Sequence, residues 1–92
     1  MKNKLELARE EINNIDKEMI DLFKRRMYAV YNVVEYKIEN NLPVLDSSRE
    51  ETLIKKNLEY LNDKELEEYY LTFFKGILAS SKDYQKKKKG DK

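Results

Sequence analysis

Two cations on one face of a long predicted helix are the first sign of chemistry in this sequence. Arg26 falls in an otherwise apolar row, where a charge costs stability unless an anion meets it. Lys37 follows eleven residues later, which is three helical turns plus roughly 20°, so both side chains point the same way about 16 Å apart along the axis. Val30 and Val33 lie between them. The row predicts the wall of a pocket for a small anion.

Each of these residues also has a simpler interpretation when it is taken alone. Arg26 fits a structural ion pair with an acidic side chain, and Lys37 fits a solvated surface lysine. Four other polar residues fit helix caps, surface charge or the polar end of a helix face; they are Arg49, Glu50, Ser81 and Gln85. Only their joint placement in a fold separates the two interpretations.

Composition limits the chemistry that is open to this chain. The 92 residues include neither cysteine nor histidine, which removes thiolates and the commonest metal ligand and general base. The net charge is +1, but residues 86–92 hold five lysines and one aspartate, so the rest carries 14 basic and 17 acidic residues, or −3. A net negative body disfavours nucleic-acid binding, which would depend on the lysine tail.

The apolar periodicity predicts an all-α fold of three helices. The first helix runs from about Leu5 to Leu42 and ends before Pro43, and the third covers about residues 64–85. The second starts near Ser47, where Ser47 with Glu50 and Ser48 with Glu51 are expected to form overlapping capping boxes, and ends near Tyr60. Two heptad rows form a coiled-coil seam along the first helix; they are Leu5, Ile12, Met19, Arg26 and Val33, and Ala8, Ile15, Leu22, Ala29 and Tyr36. The third helix should bury Leu66, Tyr70, Phe73, Phe74, Ile77 and Leu78.

The first helix is too long for a chain of this size. At ~1.5 Å per residue it would exceed 50 Å, well beyond the width of a 92-residue globule. A second copy of the chain is the natural cover, which predicts a homodimer. We expect one helical domain over residues 1–85 and a disordered lysine-rich tail over residues 86–92. The sequence shows neither a signal peptide nor a membrane span, so a cytoplasmic location is expected.

Three local strings in this order resemble the all-helical (type II) chorismate mutase family. They are Ala8-Arg9-Glu10-Glu11-Ile12-Asn13-Asn14-Ile15-Asp16, Lys24-Arg25-Arg26, and Leu42-Pro43-Val44-Leu45-Asp46-Ser47-Ser48-Arg49-Glu50. Lys37 lies between the second and third strings, and Ser81 and Gln85 follow four residues apart in the third helix. The resemblance covers residues 5–85 and implies an intertwined homodimer that converts chorismate to prephenate in aromatic amino acid biosynthesis, a branch of the shikimate pathway.

The resemblance also implies a role for each matched residue. Arg26 would bind one substrate carboxylate, and Arg9 of the partner chain would bind the other. Lys37 and Gln85 would hydrogen-bond the ether oxygen whose bond breaks. Glu50 and the backbone around Asp46 would hold the ring hydroxyl. Arg49 and Ser81 would support carboxylate binding. The intramolecular [3,3] rearrangement needs no metal or redox cofactor.

Geometry also argues for a second chain. Arg9 and Arg26 are 17 residues apart, hence about 25 Å along one helix and ~100° apart in direction, too far to grip one small molecule. Two other functions stay open at this point: an isochorismate pyruvate-lyase of the same fold, and a non-catalytic helical dimer that serves as a regulatory module.

Overall fold

The computed structural model describes residues 1–90 and contains three α-helices: α1 (Lys4–Glu39), α2 (Ser47–Leu61) and α3 (Glu67–Lys89). No strand occurs within these described residues. Helix α3 contacts both α1 and α2, so it is the helix on which the other two pack. The predicted all-α class and the order of one long, one short and one medium helix are confirmed.

Asparagine side chains cap helix α1 at both ends. The Asn3 carboxamide oxygen accepts a hydrogen bond from the Glu6 amide at 2.9 Å, which caps the first turn. Asn40 closes the last turn, and Asn41 has φ 53°, a left-handed conformation that asparagine tolerates well. The helix therefore ends three residues before the predicted Leu42, and Pro43 lies beyond the turn rather than against the helix.

The N-terminus of α2 is capped differently from the prediction. Ser47 and Ser48 were expected to form capping boxes with acidic residues, but the N-cap is Asp46, whose carboxylate accepts from the Arg49 amide at 3.0 Å. The carboxylate of Glu50 lies close to an α3 lysine instead of reaching back to the helix start. The expected capping boxes are therefore wrong, because Asp46, a residue that is as favourable as serine at an N-cap, takes this position one residue earlier, and an ion pair with Lys82 holds Glu50.

Helix α3 begins at Glu67 rather than Lys64, because residues 64–66 form a separate turn. Asp63 caps the start of this turn by accepting from the amides of Glu65 and Leu66 at 3.0 and 3.3 Å. At its other end the helix continues past the predicted Gln85.

The lysines expected to start a disordered tail belong to α3 up to Lys89, and Gly90 caps the helix with φ 90°. The Nζ atom of Lys88 lies 5.9 Å from the centre of the Tyr31 ring and 5.6 Å from that of Tyr84. Lys89 donates to the Leu42 carbonyl at 3.0 Å. Cations at a helix C-terminus are favourable, and these lysines also find partners, which explains the correction at residues 86–89. The remainder of the predicted tail, residues 91 and 92, lies outside the described residues.

The core is small and lies at one end of the molecule. It is formed where the second half of α1, the loop after it and the middle of α3 meet; its apolar members are Val30, Val34, Val44, Phe74 and Leu78. The N-terminal half of α1 extends away from this core, and the chain measures 58 × 26 × 20 Å. Its seam is uncovered, with Leu5 55% and Ile12 54% exposed.

Two residues of the predicted α3 core are about half exposed as well. Leu66 is 48% and Phe73 51% exposed, because no other part of residues 1–90 covers them. The prediction that both are buried is wrong for the single chain. None of the three helices within residues 1–90 is long and apolar enough to cross a membrane.

Candidate active site

A cavity of about 170 Å³ lies beside the core, between the second half of α1, the start of α2 and the second half of α3. The loop from α1 to α2 closes one side through Val44. Seven of the eight site residues predicted from the sequence line this cavity; they are Arg26, Lys37, Asp46, Arg49, Glu50, Ser81 and Gln85. Residues that are 59 positions apart in the sequence are therefore brought to one site.

Arg26 is held by a neutral hydroxyl group. Its guanidinium donates to Ser81 Oγ, and the Ser81 hydroxyl in turn donates to the Ile77 carbonyl at 3.0 Å, one turn earlier in α3. Burial lowers the pKa of Arg26, and the nearby Arg49 lowers it further, while Tyr70 acts in the opposite direction. Because an arginine keeps its proton at neutral pH, the group remains a desolvated cation aimed at the cavity.

The neighbouring Arg25 does not share this position. It is exposed and is not among the residues that line the cavity, whereas Arg26 is partly buried. The heptad count, which favoured Arg26 as the inward arginine, agrees with this arrangement.

Lys37 lies at the other end of the same wall. Its Nζ atom donates to the Val44 carbonyl at 2.9 Å and to the Gln85 Oε1 atom at 2.8 Å. A lysine ammonium has three N–H donors, so one is left for a ligand. Gln85 is only 8% exposed, and with its oxygen bonded to Lys37 its amide nitrogen is the group left to donate. The end of the cavity thus offers a cationic and a neutral donor side by side.

Neither central cation is neutralised by a carboxylate of residues 1–90. The salt bridges among residues 1–90 join Lys2 to Glu10, Lys64 to Glu67 and Lys82 to Glu50. The structural ion pair considered for Arg26 is therefore absent from this part of the chain. The cavity wall carries four cations and two carboxylates, a net formal charge of +2. An arrangement of this kind can bind a small dianion.

The start of α2 forms the opposite wall. Asp46 is committed to capping the helix, so its carboxylate is engaged with the backbone. Glu50 lines the cavity and pairs with Lys82 of α3. Sequence reasoning did not select Lys82 or Val44. The signal was weak: Lys82 follows Ser81 directly, at the border of the apolar face of α3, and Val44 contributes through its carbonyl.

Arg9 is the one predicted site residue that the single chain does not bring to the cavity. It is exposed in the projecting half of α1 and does not line the cavity. Its expected role in the site of a second chain stays a prediction.

Comparison with known proteins gives consistent matches. The family described as "Chorismate mutase type II" matches residues 8–86. The bifunctional chorismate mutase/prephenate dehydratase of Buchnera aphidicola subsp. Schizaphis graminum is 40% identical over 87 residues, which is 94% of this chain and 23% of that protein. The protein of the same name from subsp. Acyrthosiphon pisum is 39% identical over 87 residues, 92% of this chain and 22% of that protein. The chain thus spans less than a quarter of the length of these relatives, and no solved structure gives a significant match.

Proposed function

We propose that this chain, which belongs to the type II chorismate mutase family, rearranges chorismate to prephenate in the synthesis of phenylalanine and tyrosine. The observation that carries the proposal is the pair of partly buried cations, Arg26 and Lys37, which neutral acceptors hold at opposite ends of one cavity. Chorismate is a dicarboxylate, and the net charge of +2 on the cavity wall is complementary to it.

The reaction is an intramolecular [3,3] shift in which the ether C–O bond breaks as a C–C bond forms. It needs a substrate that is folded into a chair-like conformer and a site that stabilises negative charge on the ether oxygen. Arg26 would fix one carboxylate and so select the reactive conformer. The free N–H of Lys37 and the amide nitrogen of Gln85 would donate to the ether oxygen, and both bonds would strengthen as charge develops there.

The remaining residues would orient the ring. Glu50 and the backbone around Asp46 lie on the α2 side of the cavity, where they would hold the ring hydroxyl. Arg49 and Ser81 would support carboxylate binding, Ser81 through its hydrogen bond with Arg26. The reaction itself requires no group that these side chains lack.

We further propose that two chains complete each site. Arg9 is 17 residues from Arg26 along the same helix. It can therefore reach the second carboxylate only in the site of a partner chain. The uncovered seam of α1 supports this arrangement, because its exposed leucine and isoleucine side chains need cover. A cytoplasmic location also stays a prediction.

The test is chorismate consumption by the purified protein, with the product identified by chromatography. We expect prephenate from the unchanged protein and a loss of about 100-fold or more in Arg26→Ala, because the loss of a preorganised charged donor has an effect of this size. Arg25→Ala is the matched control, since it removes the neighbouring exposed arginine, and it should keep its activity.

The outcomes separate the competing functions. Release of pyruvate from isochorismate without turnover of chorismate would identify the lyase instead. Inactivity toward both substrates, in a protein that still binds them, would leave a non-catalytic helical dimer. The remaining alternative is nucleic-acid binding through the lysine tail. It would require that the protein binds RNA or DNA and that this binding is lost when residues 86–92 are removed.

A further inference from the structure

Lys82 lines the cavity, although none of the proposed roles in the reaction is assigned to it. Its Nζ atom lies 3.2 Å from Oε2 and 3.3 Å from Oε1 of Glu50, so it contacts both oxygens of one carboxylate. The pair joins α3 to α2 directly on the cavity wall, and both residues line the cavity. Both side chains are shielded in part, with 34% of Lys82 and 24% of Glu50 exposed.

We propose that Lys82 is a positioning residue for the proposed reaction: it fixes the Glu50 carboxylate on the cavity wall so that the carboxylate can accept the ring hydroxyl of the substrate. This inference rests on the proposed function. Lys82 acts through Glu50 and does not itself touch the reacting atoms.

The hydrogen-bonding capacity of the carboxylate allows both contacts at once. An ionised carboxylate has about four acceptor sites on its two oxygens. A single ammonium placed between the oxygens occupies one site on each and leaves the others free for a hydroxyl donor. A glutamate without such a partner moves among several rotamers, and a substrate would have to immobilise it on binding. Lys82 removes that cost because the side chain is already held.

Charge gives a second reason for the pair. An unpaired carboxylate would repel a dianionic substrate inside a partly desolvated cavity. Lys82 offsets this repulsion and brings the wall to four cations against two carboxylates; without Lys82 the net charge falls from +2 to +1. Glu50 can therefore recognise a hydroxyl group without weakening the binding of the two substrate carboxylates.

The experiment is a double-mutant cycle between these two residues. Lys82→Met keeps most of the side-chain volume and removes the charge, and Lys82→Arg keeps the charge. Glu50→Gln keeps an acceptor but no longer needs a counter-ion. The readouts are kcat and KM for chorismate, and the calorimetric affinity for prephenate, which carries the same two carboxylates and ring hydroxyl and requires no turnover.

We expect Lys82→Met to lower kcat/KM and to weaken prephenate binding roughly tenfold, a typical coupling for paired charges. Lys82→Arg should restore most of the loss. In the Glu50→Gln background the same Lys82→Met change should have less than a twofold effect on prephenate affinity. Lys75→Met is the control, because Lys75 is exposed, lies two turns earlier on nearly the same side of α3 and is outside the cavity.

Three results would overturn the inference. Unchanged kinetics and prephenate affinity in Lys82→Met, even with a lower Tm, would make the pair a structural link between helices. An equal loss in the Glu50→Gln background would mean that Lys82 binds the ligand itself. An unchanged protein that neither turns over chorismate nor binds prephenate would overturn the proposed function, and this inference with it.

Discussion

Neutral oxygen atoms hold the two central cations of the cavity. Arg26 is bound by the Ser81 hydroxyl, and Lys37 by the Val44 carbonyl and the Gln85 carboxamide. A carboxylate in any of these places would neutralise the cation and leave little attraction for an anionic ligand. A neutral acceptor fixes the geometry and leaves the charge in place. At the scale of single residues, the site is thus prepared for an anion before one arrives.

Lys37 should matter far more for turnover than for stability. Lys37→Met is expected to lower kcat for chorismate about 100-fold, because it removes the proposed charged donor to the ether oxygen. Its two hydrogen bonds contribute only about 1 kcal/mol each to the free energy of unfolding, so the Tm should fall by roughly 10 °C while the protein stays folded. Lys24→Met, at an exposed position of the same helix, is the control. Normal turnover in a protein whose Tm has collapsed would show that Lys37 is structural.

At the scale of elements, the extension of α3 beyond Gln85 is the feature that the cavity depends on. The last turn of a helix lacks partners for its carbonyl groups and frays. Because α3 continues to Lys89, Gln85 lies one turn inside the helix end. Lys88 and Lys89 then attach that end to α1 and to the loop after it. The extension therefore supports a residue of the cavity.

Removal of residues 86–92 tests this role. We expect the shortened protein to lose about 2–3 kcal/mol in free energy of unfolding, from two cation–π contacts and one hydrogen bond. Its kcat should fall as well, because Gln85 would then lie in a frayed turn. A variant with glutamine at positions 86–89 keeps the helix length but removes the charges, and should retain more activity than the shortened protein. Equal Tm and kcat in the shortened and unchanged proteins would contradict the expectation.

Sequence patterns predicted the elements better than their ends and contacts. The 3.6-residue periodicity is repeated over many turns, so three helices and seven cavity residues followed from it and from the family resemblance. Adjacent side chains can compete for one N-cap position, and at the start of α2 this position is taken by Asp46 and not by Ser47 or Ser48. Lys82 was missed because its partner lies 32 positions away. Phe73 was placed in the core because periodicity marks an apolar face without saying which chain covers it.

At the scale of the whole molecule, the cavity lies at one end and the first half of α1 projects away from it. The cavity lies at the end where α1, α2 and α3 meet, while the first half of α1 extends away with its seam uncovered. Arg9 lies on that projecting half, beyond the reach of its own cavity. A two-fold pair of chains would give each projecting helix a neighbour and each cavity a second arginine.

Mixing two inactive variants tests that arrangement. Arg9→Ala and Arg26→Ala should each be nearly inactive. A heterodimer of the two holds one site with both arginines and one with neither, so random exchange should restore roughly a quarter of the unchanged activity. Refolding each variant alone is the control. An absence of recovery in heterodimers that have been verified by mass would rule out the shared site.

The uncovered seam of α1 also has a kinetic consequence. A helix with a row of leucine, isoleucine and methionine side chains in water gains little stability from its own chain, because so little of it meets the core. Its apolar surface is removed from water only when another chain arrives. We therefore expect the recovery of structure after dilution from denaturant to become faster as the protein concentration rises, so that each chain finishes folding at the pace of its encounters with another.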